Sequence, residues 1–422
     1  CYSVSMEKIL KAKTLYQSVI TSSSTILNGA LGILFYILVA RLLGPESFGI
    51  FSVSVITLTL IADVANIGTD TGIVKFVGSS IHKKRKRALM FLKLGLETKI
   101  VIGVSFTVIG LILTPTFSHL LHKPELMVPL RYAVLGAFGL LLFSFTTSAL
   151  QAIQKFWTWG VLNISMNFLR LMSILAVSAV IVLDLEKSLF LYIIFPFLGS
   201  LVGILLLPRF FTVKRELSVS KEFFNYNKWI AILVAISAVS SRLDMYLAVR
   251  LLTLAEVGVY SVAVNLAGVV PQIVLAIAVV AAPKLASFDS DLKARVYLKK
   301  LQIFVLTLAG VGLLVGTPLA RILVPVVYGS KYVESISPFI ILLTAQAIFL
   351  ISIPAHTAVT YYFSSPKILV WMSIVHLAII GILGWVLISN YGYIGAAATV
   401  LAGSISSLII PGTWTLNKFR NK

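Results

Sequence analysis

Cysteine occurs once in this chain of 422 residues, at Cys1, which leaves no disulfide framework and no cysteine-based metal site. Charge is almost as scarce. Asp, Glu, Lys and Arg make up 12% of the residues, where a soluble domain carries about 25%. Water could not solvate a surface so poor in charge. Long polar stretches are missing too, so there is no room for a soluble catalytic domain between the apolar runs. Any chemistry falls within the membrane or at its two faces. No cleavable signal pattern opens the chain, because its first apolar run is full length and eleven more follow. A first-position cysteine can carry a lipid anchor, but the charge pattern places this end inside, where such anchors do not face. A start at Met6 preceded by five further residues is the simpler expectation.

What the chain does have is apolar surface: 59% of it is hydrophobic, with a mean hydropathy of +1.00. A bilayer-spanning helix needs about 20 apolar residues. Runs of that kind lie near 15–40, 50–74, 100–118, 132–153, 161–183, 188–207, 229–250, 258–282, 301–325, 339–361, 368–388 and 395–415. The expected fold is therefore an all-α integral membrane protein of about twelve spans. Its expected parts are a cytoplasmic segment 1–14, a six-helix lobe 15–207, a cytoplasmic linker 208–228, a second lobe 229–415 and a cytoplasmic tail 416–422.

The net charge of +20 is spread as a topology signal, which argues against nucleic-acid binding. Of the 35 basic residues, 26 fall at the termini or in even-numbered breaks, among them Lys75, Lys83–Arg87, Lys93, Lys99, Arg209 and Lys284. Arg41, Lys123, Arg131, Lys187, Arg250, Arg321 and Lys331 fall in odd-numbered breaks, and only Arg170 and Arg242 lie inside spans. The bias sets the even breaks and both termini in the cytoplasm. The run from His82 to Arg87 reads either as a plain topology anchor or as a contact for anionic lipid headgroups.

Residues 41–53, RLLGPESFGIFSV, align without a gap with 250–262, RLLTLAEVGVYSV, at an offset of 209. Six spans separate the copies, so both lie on the outer side. That is the pattern of parallel-repeat transporters, with the working cavity between two halves related by an axis along the membrane normal.

Polar residues recur at helical spacing inside several spans. A charge facing lipid is costly, so such stripes are expected to line a cavity. Thr59, Asp63, Asn66 and Asp70 form one face of the second span, although Asp70 sits near its mouth and also suits a helix cap. Ser261, Asn265, Gly268 and Gln272 repeat that spacing in the eighth. The fifth carries Asn163, Asn167 and Arg170, with Arg170 near mid-depth, facing either a hydrated cavity or a carboxylate such as Asp63 or Asp244. The seventh carries Ser237, Ser240, Ser241 and Asp244, and the first Thr21, Thr25, Asn28 and Gly32. An undistorted helix sets Arg242 roughly 160° from Asp244, so the two could not be aimed at one spot. His356 and His376 lie within spans and suit interhelical hydrogen bonds more than proton relay. His119 and His122 have no partner ligands nearby, so no metal site is expected. Pro271, Pro318 and Pro354 are expected to kink or end their helices.

Segments 41–77 and 240–285 resemble the first-loop and second-helix signature, and the seventh and eighth helices, of polysaccharide-type lipid-linked oligosaccharide flippases. These belong to the multidrug/oligosaccharidyl-lipid/polysaccharide exporter superfamily. The resemblance implies a V-shaped cavity between two six-helix lobes that opens alternately to each side. It implies a polyprenyl (pyro)phosphate glycan turned from the cytoplasmic to the outer leaflet of the plasma (inner) membrane. The cationic lumen of that family would fall here to Arg170 and Arg242, with Arg41 and Arg250 at the outer rim. Cavity cations beyond these find no clear match, which is a departure from the family pattern. Asp63, Asp70 or Asp244, with Asn28, Asn163, Asn167, Asn265 and Gln272, would supply the polar lining and a site for a coupling Na⁺ or H⁺. No other cofactor is expected and no enzymatic activity. The expected partners are the bilayer, the lipid-linked glycan and polysaccharide-assembly proteins, with a monomer as the working unit. A drug/cation antiporter of the same superfamily, a membrane-embedded glycan polymerase or glycosyltransferase, and a non-transporting scaffold are the competing readings. The two mid-membrane arginines disfavour the first, and outer loops 119–131 and 326–338, with one acidic residue each, disfavour the second.

Overall fold

The computed structural model describes the backbone of residues 2–81, 83–214, 216–365 and 367–420, with side chains except at 2–16, 18, 229, 233, 275, 276, 279, 280 and 283. Cys1, the side chains of Lys8, Lys11 and Lys13, and His82, Arg215 and Lys422 therefore lie outside the described residues. The described chain is helical and contains no strand. Its helices are α1 (Tyr2–Asn66), α2 (Thr69–Ser80), α3 (Arg85–Leu120), α4 (Met127–Ala152), α5 (Phe156–Val180), α6 (Leu185–Leu205), α7 (Leu217–Ser240), α8 (Leu243–Leu251), α9 (Leu254–Ala267), α10 (Val270–Ala286), α11 (Asp291–Tyr328), α12 (Ile336–Thr357) and α13 (Lys367–Arg420).

Among the described residues, ten helical stretches are long and apolar enough to cross a bilayer. Large apolar side chains face outward on them: Leu205 is 84% exposed, Leu314 79% and Ile112 70%. In water this would be an aggregating surface. In lipid it costs nothing, and the chain is a multi-pass membrane protein. Two stretches are long enough for two crossings, Val19–Asn66 with 48 residues and Lys367–Arg420 with 54. At 1.5 Å per residue they run about 72 and 81 Å, more than twice the hydrocarbon thickness of about 30 Å. Each bends at a glycine with positive φ, Gly44 (φ 77°) just before Pro45, and Gly392 (φ 60°).

Several spans differ from the sequence expectation. The second is broken: α1 stops at Asn66, Ile67 and Gly68 take φ of 42° and 73°, and α2 restarts at Thr69. The polar face from Thr59 to Asp70 is therefore not one continuous helix surface. The seventh is broken between Ser240 and Leu243, and the eighth between Ala267 and Val270. Helix α3 begins at Arg85, so Lys93 and Lys99 are helical residues and not loop charges. The expected linker is helical from Leu217 onward.

The chain divides into two compact units. One comprises residues 1–42 and 53–239, the other 43–52 and 240–422. In the first, Phe76 of α2 stacks on Phe91 of α3 at 4.8 Å between ring centres, and Phe223 of α7 and Phe145 of α4 close the cluster. A second cluster joins Leu58 and Ala62 to Ala133 and Ala137 of α4 and Ile193 of α6. In the second unit, Val274, Val305, Ala309, Leu350 and Ile353 pack α10, α11 and α12 together. Segment 43–52 belongs to this unit: Phe48 is fully buried, edge-on to Tyr332 at 6.1 Å.

That segment holds most of one copy of the internal repeat, and it meets the other copy directly. A Cβ on Gly49 would lie 2.0 Å from the Leu254 carbonyl oxygen, and a Cβ on Gly258 would lie 1.9 Å from that of Pro45. Gly49 and Gly258 are equivalent at the offset of 209, and so are Pro45 and Leu254. The contact is thus reciprocal, like an isologous contact between two copies of one surface. Only glycine admits backbones this close.

Candidate functional site

Arg170 lies 14 residues after the first residue of α5, about 21 Å along a helix of 25 residues, and so near its middle. A guanidinium at that depth needs support. Its Nη1 donates to Asn167 Oδ1 at 3.1 Å, and Asn167 Nδ2 donates in turn to Asn28 Oδ1 of α1 at 2.5 Å. The guanidinium carbon stands 4.2 Å from the ring centre of Tyr192 on α6 and 5.7 Å from that of Phe35 on α1. The Tyr36 and Tyr192 hydroxyls lie 3.4 Å apart beside it. Such aromatic contacts are worth up to about 2 kcal/mol once water is excluded. Among the described residues Arg170 has no carboxylate partner, and its Nε is buried without a hydrogen bond. Within its own unit, the expected alternative of a pair with Asp63 is not formed. Among the described residues the cation is held by neutral groups alone.

Asn163 does not join this relay. Its side chain donates to the Trp159 carbonyl of its own helix at 2.8 Å. Phe35, Tyr36 and Tyr192 were not among the residues singled out from sequence. A signal existed, since Phe35 and Tyr36 follow Asn28 by seven and eight residues and so continue the stripe from Thr21.

A second polar cluster surrounds the break after α1. Asn66 Nδ2 donates to Asp70 Oδ2 at 2.8 Å, while Asn66 Oδ1 accepts from the Thr69 hydroxyl at 2.6 Å and from the Asp70 amide at 3.3 Å. Lys99 of α3 donates to Asp70 Oδ1 and to the Ser144 hydroxyl, each at 2.6 Å, and to the Leu141 carbonyl at 3.3 Å. Three donors meet three acceptors. The Lys99 side chain is 0% exposed and that of Asp70 24%. The N-cap of α2 is Gly68, so Asp70 is not a helix cap but a first-turn carboxylate tied to Lys99 and Asn66. Lys99 is the buried cation that sequence reasoning missed, because the apolar run was started one residue beyond it. A carboxylate in an apolar stretch without a local counter-charge was the available hint.

In the second unit the helix breaks where its two charges lie, so the opposition expected of an undistorted helix does not apply. Arg242 is the N-cap residue of α8, with Nη1 3.4 Å from the Ser241 hydroxyl, and Asp244 follows in the first turn. The hydroxyl of fully buried Tyr260 donates to Asp244 Oδ2 at 2.6 Å, tying α9 to α8. His356 and His376 are both engaged with α13: the first lies 2.9 Å from the Ser407 carbonyl, the second 3.1 Å from that of Gly403.

The remaining candidates are dispersed. Arg41 is exposed near the end of the first limb of α1, and Arg250 is half-buried in the last turn of α8. Asp63 and Asn265 are half-buried, and Gln272 is exposed. Arg41 and Arg170 belong to the first unit, Arg242 and Arg250 to the second. No group of three or more His, Cys, Asp or Glu among the described residues is placed to hold a metal ion.

The fold has solved counterparts. A multidrug resistance MATE family transporter of the MOP superfamily, in an inward-facing conformation, superposes with a TM-score of 0.77 at 13% identity, covering 96% of this chain and 98% of that one. Lipid II flippase MurJ, in an inward closed conformation, superposes with a TM-score of 0.75 at 14% identity, covering 95% and 89%. A MOP superfamily transporter from Pyrococcus furiosus, described by the reverse polarity of its binding pocket, gives 0.57 at 12% identity over 96% and 95%. At such identities the likeness concerns the fold. No curated protein sequence matches the chain. The family of polysaccharide biosynthesis proteins matches residues 15–289, well over half of the sequence, and the chain belongs to that family.

Proposed function

We propose that this protein is a transporter that moves a phosphate-bearing, lipid-linked oligosaccharide across the membrane for surface polysaccharide synthesis. The observation that carries this reading is Arg170: a mid-helix cation with no counter-charge among the described residues, held in place by Asn167, Asn28 and Tyr192. A guanidinium fixed by neutral partners keeps its charge for a ligand, and its fork matches phosphate oxygens. Cationic drugs would be repelled by it, so the multidrug reading is not favoured. No covalent step is required of the protein.

The finer elements of the reading are these. The bends at Gly44 and Gly392 divide the two longest stretches, which supports twelve crossings over ten. The charge bias supports cytoplasmic termini in the plasma membrane. The reciprocal Gly49 and Gly258 contact supports two related lobes working by alternating access. The lipid carrier is a polyprenyl (pyro)phosphate, and a Na⁺ or H⁺ gradient drives the cycle, with Asp63 or Asp244 as the coupling carboxylate. Polysaccharide-assembly proteins hand over or receive the glycan, and a monomer suffices.

The test is translocation of a fluorescent polyprenyl-pyrophosphate glycan in proteoliposomes, with and without an imposed Na⁺ or H⁺ gradient. Movement that depends on the protein and is lost in Arg170→Gln is the expected result. Unchanged movement in that variant removes Arg170 from substrate recognition. Absence of movement under every gradient, with efflux of organic cations instead, overturns the flippase reading.

A further inference from the structure

A cleft of about 460 Å³ opens in the first unit, away from Arg170, between the start of α3 and the start of α7. Four consecutive cations line it, Lys84, Arg85, Lys86 and Arg87, facing Glu216 and Ser218 across the gap. Its size falls within the range of about 300–1,000 Å³ typical of small-molecule sites. Its walls are tied together: Arg87 pairs with Glu222 of α7, and Lys93 Nζ donates to the Val213 carbonyl at 2.9 Å. Lys84, Arg85 and Lys86 have no carboxylate partner among the described residues, and all three are exposed. One carboxylate, Glu216, therefore stands against three uncommitted cations. A charge anchor needs only to sit at the membrane surface, and neither a shaped recess nor a braced one.

Hydrocarbon adjoins the cations. Met90 and Val219 lie in the lining, and Leu217, between the two cleft residues Glu216 and Ser218, is 82% exposed. Cations in the recess beside bare hydrocarbon at its edge match a molecule with a phosphate head and an acyl tail. A soluble anion would use the first and gain nothing from the second. We propose that this cleft binds the phosphate headgroup of an anionic membrane phospholipid, with its acyl chains lying over Leu217. The site is independent of the substrate assigned to Arg170.

The experiment titrates the detergent-solubilised full chain with phosphatidylglycerol and with phosphatidylcholine, counting bound lipid by native mass spectrometry. Each cation near an anionic lipid is worth about a fivefold preference, so Lys84→Gln/Arg85→Gln/Lys86→Gln should lose on the order of 100-fold. Arg87 is left in place because it braces the wall. Ser218→Glu puts a carboxylate among the cations while keeping every basic residue, and a Glu is well suited to the first turn of α7. It carries the test should the triple variant fail to fold. Loss of phosphatidylglycerol preference in both variants is the expected result. Retention in Ser218→Glu overturns the cleft in favour of diffuse surface charge. Retention in both overturns any anion site here, and full displacement by glycerol phosphate overturns the assignment to a lipid.

Discussion

Lys99 and Asp70 offer the sharpest check on how this fold is held. Breaking a buried ion pair by removing one partner costs about 3–5 kcal/mol, because the other charge stays desolvated. The two ends are not equivalent. Asp70 keeps 24% of its side-chain exposure and a hydrogen bond from Asn66, whereas Lys99 is wholly enclosed. Lys99→Met, which preserves the length of the stem, should therefore cost near the lower bound, about 3 kcal/mol. Asp70→Asn strands a fully buried ammonium and should cost nearer 5 kcal/mol. The double variant leaves no charge behind and should cost only about 1–2 kcal/mol, chiefly for the Ser144 hydroxyl oxygen, which loses its donor, while the Leu141 carbonyl keeps the Ser144 hydroxyl. The coupling between the two sites is then several kcal/mol, far outside the roughly 0.5 kcal/mol expected of independent positions. Reversible unfolding in mixed detergent micelles measures all four corners of the cycle. Additive losses, or an Asp70→Asn variant more stable than Lys99→Met, would refute the account. The same cycle reports on the turn beside it, since Ile67 occupies a positive φ that costs a β-branched residue on the order of 1–3 kcal/mol.

Three further outcomes are expected. Gly49→Ala and Gly258→Ala should each cost about 1–3 kcal/mol in the same unfolding assay, through overpacking against a carbonyl. The double variant should cost less than the sum, because one separation of the backbones relieves both clashes. Arg170→Lys should recover little of the translocation lost in Arg170→Gln, since lysine has neither the planar stack on Tyr192 nor the fork to Asn167. At the start of α6, the side-chain and backbone bonds from Lys187 hold the Asp184 carboxyl below its ordinary value. A depressed carboxylate adds stability above its unfolded pKa of about 3.9 and loses it as pH falls through the folded value. Asp184→Ala should therefore cost about 1 kcal/mol at neutral pH, as for a lost N-cap, and the gap to the parent should close in acid.

Much of the site around Arg170 was legible because its signals are local. Asn28, Asn167 and Arg170 lie on helical stripes that can be counted along the chain, and the structure joins them into one relay. Tyr192 comes from a different helix, and nothing within α5 announces it. The relation of Arg242 to Asp244 was not legible, for the opposite reason. An angle counted along the chain holds only for a continuous helix, and α7 ends just before them.

The amino-acid order alone determined the solvent of this protein, its helical class, the repeat at an offset of 209, and the presence of cations where lipid forbids unsupported ones. Those properties follow from composition and from a period of 3.6 residues, and neither needs a partner segment. Only the tertiary structure decided that Lys99 pairs with Asp70, that Gly49 meets Gly258, and that helices break at Ile67–Gly68 and at Ser241–Arg242. An ion pair spanning 29 residues and a backbone contact spanning 209 depend on which helices pack together. A left-handed isoleucine is unfavourable in any local context, so no local pattern calls for it. The hydrogen bonds joining Asn66, Thr69, Asp70 and Lys99 offset its cost.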